Sequence, residues 1–166
     1  LRGERGFAAF QNILFAGAML NGRTVHSLIK GLSLYSKNTV YLLSPDSLRL
    51  SRKDYSDFQK RGIKIVEIES EKEIPKNADV WYWTRVQKER FKIQNEYEKV
   101  KNKFVVSQKF LDTYAGKNTI LMHPLPRVGE ILPEVDSDPR AIYLKTQIRN
   151  GTYVRMALLG LVLGKI

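Results

Sequence analysis

Cysteine is absent from the 166 residues, which excludes both disulfide bridges and thiolate zinc sites. Histidine is scarce: His26 and His123 alone are too few for a convincing metal site. No metal site is therefore expected. No apolar run approaches the roughly 20 residues of a membrane-spanning helix, so no membrane partner is expected. The N-terminus, Leu1-Arg2-Gly3-Glu4-Arg5-Gly6, lacks the apolar stretch of a secretory signal. It also lacks methionine, and the chain is expected to be a piece of something longer. No G-x-G-x-x-G fingerprint or Walker lysine pattern occurs, since Gly17 and Gly22 stand apart. The acidic stretch 134–140 lacks the glycine and terminal glutamate of a calcium loop; it is expected to cap the last helix or pair with arginines. Internal repeats and low-complexity tracts are missing.

Positive charge is in excess. Lys and Arg number 28 against 17 Asp and Glu, a net +11. The lysines are scattered and interrupted by acids, and no RNA-binding aromatic signature accompanies them. A solvated basic surface, or a field that gathers anionic metabolites, fits this pattern better than a nucleic-acid partner. The competing reading is a non-catalytic basic α/β module that binds nucleic acid or an acidic partner. Salt-dependent binding of oligonucleotides is its signature.

Short apolar runs alternate with helical spacing. Strands are expected at 12–18, 40–43, 63–68, 80–86 and 119–122, and helices at 22–35, 51–61 and 94–114. Glu71–Asn77 reads as a short helical turn, and 124–140 as too irregular for an element. Ala141–Ile166 reads as one long helix, weakened at Gly151, with Met156–Val162 buried against the sheet or another domain. The expected architecture is a three-layer α/β/α sandwich around a mostly parallel, Rossmann-like sheet of about five strands, the first of them central.

Three segments put arginines just beyond strand-like runs, at the edge where α/β sheets collect ligands. In Gly22-Arg23-Thr24-Val25-His26-Ser27, Arg23 adds its charge to a helix N-terminus; as a residue alone it reads equally as surface arginine. His26 reads as a packed or hydrogen-bonded helix residue. In Thr84-Arg85-Val86-Gln87-Lys88-Glu89-Arg90, Arg85 and Gln87 project to one side of extended chain, where guanidinium and carboxamide suit a carboxylate. Glu89 shares their parity and can fix Arg85. The bland alternative is a polar loop. In His123-Pro124-Leu125-Pro126-Arg127 the prolines stiffen the chain and leave carbonyls free. A cis Leu125–Pro126 bond is plausible there, with His123 a supporting residue.

Read together, GRTVHSL at 22–28, TRVQKERF at 84–91, HPLPRV at 123–128, VDSDPRA at 135–141 and YVRMALLGLVLG at 153–164 resemble the aspartate carbamoyltransferase family, in order and over nearly the whole chain. Related ornithine enzymes carry a cysteine in the proline motif and lack the TRVQKE segment. The resemblance implies a single aspartate-binding domain over 1–166, with 1–10 as interdomain connection, in a cytoplasmic enzyme of pyrimidine synthesis. It implies L-aspartate and carbamoyl phosphate as partners, with no metal or organic cofactor in catalysis. It also implies a homotrimer of the full-length catalytic chain, and leaves a regulatory chain or fusion partner open. Arg23 would take the α-carboxylate of aspartate, with Thr24 beside it. Arg85 and Gln87 would hold the side-chain carboxylate, with Glu89 orienting Arg85 and Arg90 linking domains. Carbonyls at Leu125 and Pro126 would meet the reacting amide and amine. Arg127 and Arg155 would line or support the site. The family's Ser-Thr-Arg-Thr phosphate motif, its carbonyl-polarising histidine and a lysine from an adjacent subunit belong to a carbamoyl-phosphate domain that is not in this sequence. Two departures stand out. Gly17-Ala18-Met19 replaces a usual Gly-Asp-Leu, which bears on the support of Arg23. Gly129 stands where Asp or Asn is common, which bears on a latch near Tyr97.

Overall fold

A computed structural model describes residues 11–88, 91, 93–101 and 103–166. Its centre is a parallel sheet of five strands: β1 (Asn12–Ala16), β2 (Thr39–Leu43), β3 (Lys64–Ile68), β4 (Val80–Trp83) and β5 (Ile120–Met122). Their spatial order is β3-β2-β1-β4-β5, with β1 in the middle as expected. The strands are almost unbroken apolar runs because both faces are covered. Side chains alternate between two cores. Ile13, Phe15, Val40, Leu42, Val80 and Tyr82 face one way and pack with Val25, Ile29 and Leu32 of α1 (Arg23–Leu32) and Phe58 of α2 (Arg52–Lys60). Leu14, Ala16, Leu43, Trp81, Trp83 and Leu121 face the other way and pack with Phe104, Val106, Leu111, Ile131 and Tyr143. Trp81 and Trp83 are fully buried, with Phe110 edge-on to both.

The chain departs from its apolar periodicity in three places. Residues 94–114 form two helices, α3 (Gln94–Val100) and α4 (Gln108–Tyr114), not one. Val106 is pulled out of helical geometry to pair with Ile131. Its N–H donates to the Glu130 carbonyl at 2.9 Å, and its own carbonyl accepts from Leu132 N–H at 2.9 Å. Ser107 then starts α4, its hydroxyl accepting from Phe110 N–H. Residues 124–140 contain an element after all, a 3-10 turn at Pro133–Ser137. The expected helical turn at 71–77 is a 3-10 turn at Glu71–Glu73, started by a Ser70/Glu73 capping box.

The last helix, α5 (Thr146–Val162), begins five residues later than expected. Residues 140–142 are diverted to run beside β5: Leu121 N–H donates to Arg140 O, and Ile142 N–H to Leu121 O. Gly151 lies inside this helix without interrupting it. The apolar end of α5 is not buried: Met156 is 61% exposed, Leu159 62% and Val162 83%. Its seven-residue apolar run meets neither sheet face, because other segments already cover both. Contiguous apolar surface of this kind marks a contact region.

Candidate active site

In a sheet of this order, β1 and β4 are neighbours whose outgoing connections lead to opposite ends of the sheet. Ligand crevices form outside the strand ends at such a switch point. Ala16 and Trp83, the last residues of β1 and β4, are cross-strand partners. Just beyond them the chain opens a cavity of about 190 Å³.

Three segments line it. After β1 come Ala18, Asn21, Gly22, Arg23 and Thr24; after β4, Thr84, Arg85 and Gln87; after β5, His123, Pro124, Leu125 and Pro126. The three stretches singled out in the sequence therefore converge on one cavity, with Arg23 and Arg85 together in its lining. Thr84 joins the first two segments. Its hydroxyl donates to the Ala16 carbonyl at 3.0 Å and accepts from Ala18 N–H at 3.1 Å. This exchange ends β4 at Trp83 rather than at the expected Val86 and brings Arg85 and Gln87 to the cavity lining. Gly17 lies against the Thr84 backbone with φ +112°, where any Cβ would collide with the Thr84 carbonyl.

Arg23 opens α1, whose preceding Gly22 supplies no side-chain cap. First-turn N–H groups and the helix dipole add to its positive charge. Gln87 Oε1 is buried without a hydrogen-bond partner among the described residues. An acceptor left this way costs about 1–3 kcal/mol. Thr24 hydrogen-bonds Tyr82, whose hydroxyl burial pushes above its ordinary pKa against that bond. Arg23 and Thr24 also border a second, more open groove of about 570 Å³ with Leu28, Tyr82, Met122 and Gln147. His26 is a hydrogen-bonded helix residue, its Nε2 donating to the Met19 carbonyl at 2.9 Å.

The proline turn is held from behind. The Leu125–Pro126 bond is cis, and Leu125 has φ +52°. Arg127 grips Asp136 with both terminal nitrogens, one pair at 2.6 Å, and donates to the Tyr143 hydroxyl at 3.1 Å. It stands outside the cavity lining and ties the turn to the 3-10 segment. Arg155 is exposed on α5, also outside that lining. Gly129 has φ +125° with open space around it. Glu89 and Arg90, expected to orient Arg85 and to link domains, lie outside the described residues, as does the expected connection 1–10.

The acidic stretch pairs with arginines, one of its two expected roles. Asp138 accepts from Arg140 at 2.7 Å and from Gln108 Nε2 at 2.8 Å. The Arg140 guanidinium, chiefly, holds the Asp138 carboxyl well below the usual carboxylate range; Arg127 lowers the Asp136 carboxyl. A depressed native pKa stabilises the fold above the unfolded value, near 4, and that stability is lost as pH falls further. Thermal melts should therefore decline steeply between about pH 5 and pH 2. Asp138→Asn should flatten that decline while lowering the neutral-pH melting point, and an unchanged acid limb would count against this pairing as its source.

Sequence reasoning did not single out Asn21, Glu130 and Gln147, and noted Ala18 only within the departure at Gly17-Ala18-Met19. No spacing marks them: loop geometry brings Ala18, Asn21 and Glu130 to the site region, and the first turn of α5 brings Gln147.

Relatives carry the same architecture. The family model for "Aspartate/ornithine carbamoyltransferase, Asp/Orn binding domain" matches residues 11–162. The multifunctional protein pyr1-3 of Dictyostelium discoideum is 46% identical over 164 residues, 99% of this chain and 7% of that protein. The aspartate carbamoyltransferase catalytic subunit of Methanocaldococcus jannaschii is 46% identical over 147 residues, 89% of this chain and 47% of the relative. A crystal structure of the M. jannaschii subunit superposes with a TM-score of 0.90 at 42% identity, over 99% of this chain and 54% of that one. The Trypanosoma cruzi aspartate transcarbamoylase solved with aspartate and phosphate gives 0.79 at 32% identity, over 95% and 49%. The chain thus spans about half the length of these single-enzyme relatives. A five-stranded switch-point cavity lined by the three motifs, on a fold shared at this identity, places the chain in the aspartate/ornithine carbamoyltransferase family, as its Asp/Orn binding domain.

Proposed function

We propose that this domain is the aspartate-binding half of an aspartate carbamoyltransferase. In that reaction the amine of L-aspartate attacks the carbonyl carbon of carbamoyl phosphate. The bond to the phosphate oxygen breaks, the amine loses a proton, and N-carbamoyl-L-aspartate and phosphate leave. The observation that carries the reading is the meeting of Arg23, Arg85 and Gln87 with the proline turn around one cavity. Two guanidinium groups and a carboxamide match a substrate with two carboxylates. Arg23 takes the α-carboxylate, with Thr24 adjoining. Arg85 and Gln87 take the side-chain carboxylate, and the carbonyls of Leu125 and Pro126 receive the amide and amine N–H groups. Arg127 fixes the turn from behind. Glu89, Arg90 and Arg155 serve as orienting or domain-linking groups once the second half is present.

The domain's contribution is orientation and charge complementarity, not acid–base chemistry. The carbamoyl-phosphate site and the exposed end of α5 both call for another part of a full-length chain, which we place over α5 and the open side of the cavity. The functional form is then a cytoplasmic homotrimer of that chain, with a regulatory chain or fused pyrimidine enzymes as further partners.

Two assays test this. The full-length polypeptide should form carbamoyl aspartate from carbamoyl phosphate and aspartate, and absence of that product overturns the reading. The domain alone should turn over negligibly, because it supplies half a site; robust product from it contradicts the half-site picture.

A further inference from the structure

We infer that His123 and Glu130 act as a positioning pair, in which a neutral His123 carrying its proton on Nε2 fixes the backbone of the proline turn. The inference rests on the reading above, that the Leu125 and Pro126 carbonyls meet the reacting groups. Nδ1 of His123 accepts from Leu125 N–H at 2.8 Å, so Nδ1 must keep its lone pair. The ring proton then sits on Nε2, which lies 2.6 Å from Glu130 Oε1. The two atoms meet as a close ion-pair contact without aligned hydrogen-bond geometry, and neither has a hydrogen-bond partner among the described residues. The second carboxylate oxygen of Glu130 accepts from Val128 N–H at 3.0 Å. One buried pair, its side chains 1% and 6% exposed, thus holds backbone amides on both sides of Leu125–Pro126.

The scaffold makes this hold rigid. Gln147 brackets the His123 backbone, accepting from its N–H at 3.2 Å and donating to its carbonyl at 2.6 Å. The Glu130 carbonyl is anchored by Val106 N–H. Leucine occupies a φ of +52° only where its surroundings impose it, and the bond to Nδ1 is one of the contacts that hold Leu125. A proton on Nδ1, in the other tautomer or the imidazolium, would set two donors against each other at Leu125 and release the turn. Burial pushes the Glu130 carboxyl up, but the adjoining His123 ring and hydrogen bonds from Val128 N–H and its own N–H outweigh burial and leave it lowered, hence anionic.

The test uses the full-length enzyme. Nitrogen-15 NMR of labelled histidine, assigned by loss of the signal in His123→Asn, should show an unprotonated Nδ1 and a protonated Nε2 at neutral pH. A protonated Nδ1 overturns the inference, whatever the enzyme's activity. Glu130→Gln offers an amide whose NH2 must face either the ring or Val128 N–H. It should lower kcat on the order of 10- to 100-fold, the scale of an ångström-sized misplacement. The aspartate KM should stay within about threefold, because Arg85 and Gln87 are untouched. Wild-type kcat in Glu130→Gln refutes the pair as a positioning device. If Glu130→Gln does not fold, the tautomer measurement on the unaltered enzyme decides. An inactive unaltered enzyme condemns the proposed function instead, and the tautomer still judges this inference.

Discussion

Arg85→Ala in the full-length enzyme should cut kcat/KM for aspartate by roughly 10- to 150-fold, the equivalent of about 1.5–3 kcal/mol for one charge-assisted pair. The loss should fall on aspartate, with the KM for carbamoyl phosphate little changed. The physical reason is geometric. β4 ends at Trp83 because Thr84 turns to bond Ala16 and Ala18, and this delivers Arg85 to the cavity lining beside Gln87. Arg85→Lys should recover only part of the loss, since an ammonium cannot donate in parallel to both carboxylate oxygens. Arg155→Ala, on the exposed helix outside the lining, supplies a contrast with a smaller effect on aspartate. Unchanged aspartate kinetics in Arg85→Ala would remove this residue from the substrate contacts.

Gly17→Ala should destabilise the fold by about 3 kcal/mol or more. Two costs combine. At φ +112° an alanine is strained wherever it sits, and here its methyl would also strike the Thr84 carbonyl and hydroxyl. The obstacle is largely backbone, at a point where β1 and β4 are already paired, so neither side can retreat without breaking the sheet. For a chain of this size each kcal/mol moves the melting point by about 2–4 °C, so a drop on the order of 6 °C or more is expected in thermal unfolding followed by circular dichroism. Gly62→Ala, also at positive φ but with open space around it, should cost distinctly less. Equal melting points for the two variants would show that the contact at Thr84 carries no weight.

Much of this fold is legible in the sequence, for identifiable reasons. Buried parallel strands are nearly continuous apolar runs, so β1, β2, β4 and β5 announce themselves, and β3 shows the alternation of an edge. The three cavity segments are legible because each follows a strand with a polar, arginine-bearing stretch, and sheet topology does the rest. What is not legible depends on contacts that periodicity cannot encode. Val106 fits the apolar side of a continuous helix, yet its N–H is claimed by Glu130 across the chain. Residues 141–145 carry a helical pattern, yet Ile142 N–H is taken by Leu121. Met156–Val162 is apolar enough to be core, but composition says only that it seeks cover, not which surface provides it. The bond from Leu125 N–H to His123, and its link to Glu130, depend on a turn whose shape no motif spells out.

The order of the sheet also sets a schedule for synthesis. Strand β1 gains its second hydrogen-bonded edge only when β4 is available, and Asn12 must wait for the Asp79 carboxylate 67 residues along. At ribosomal speeds of about 5–20 residues per second, a central strand of the domain stays half-paired for several seconds, its apolar edge open to other nascent chains. Slow elongation before residue 80, or truncation there, therefore exposes a strand that the finished protein hides in its middle, and chaperone demand should peak in that interval.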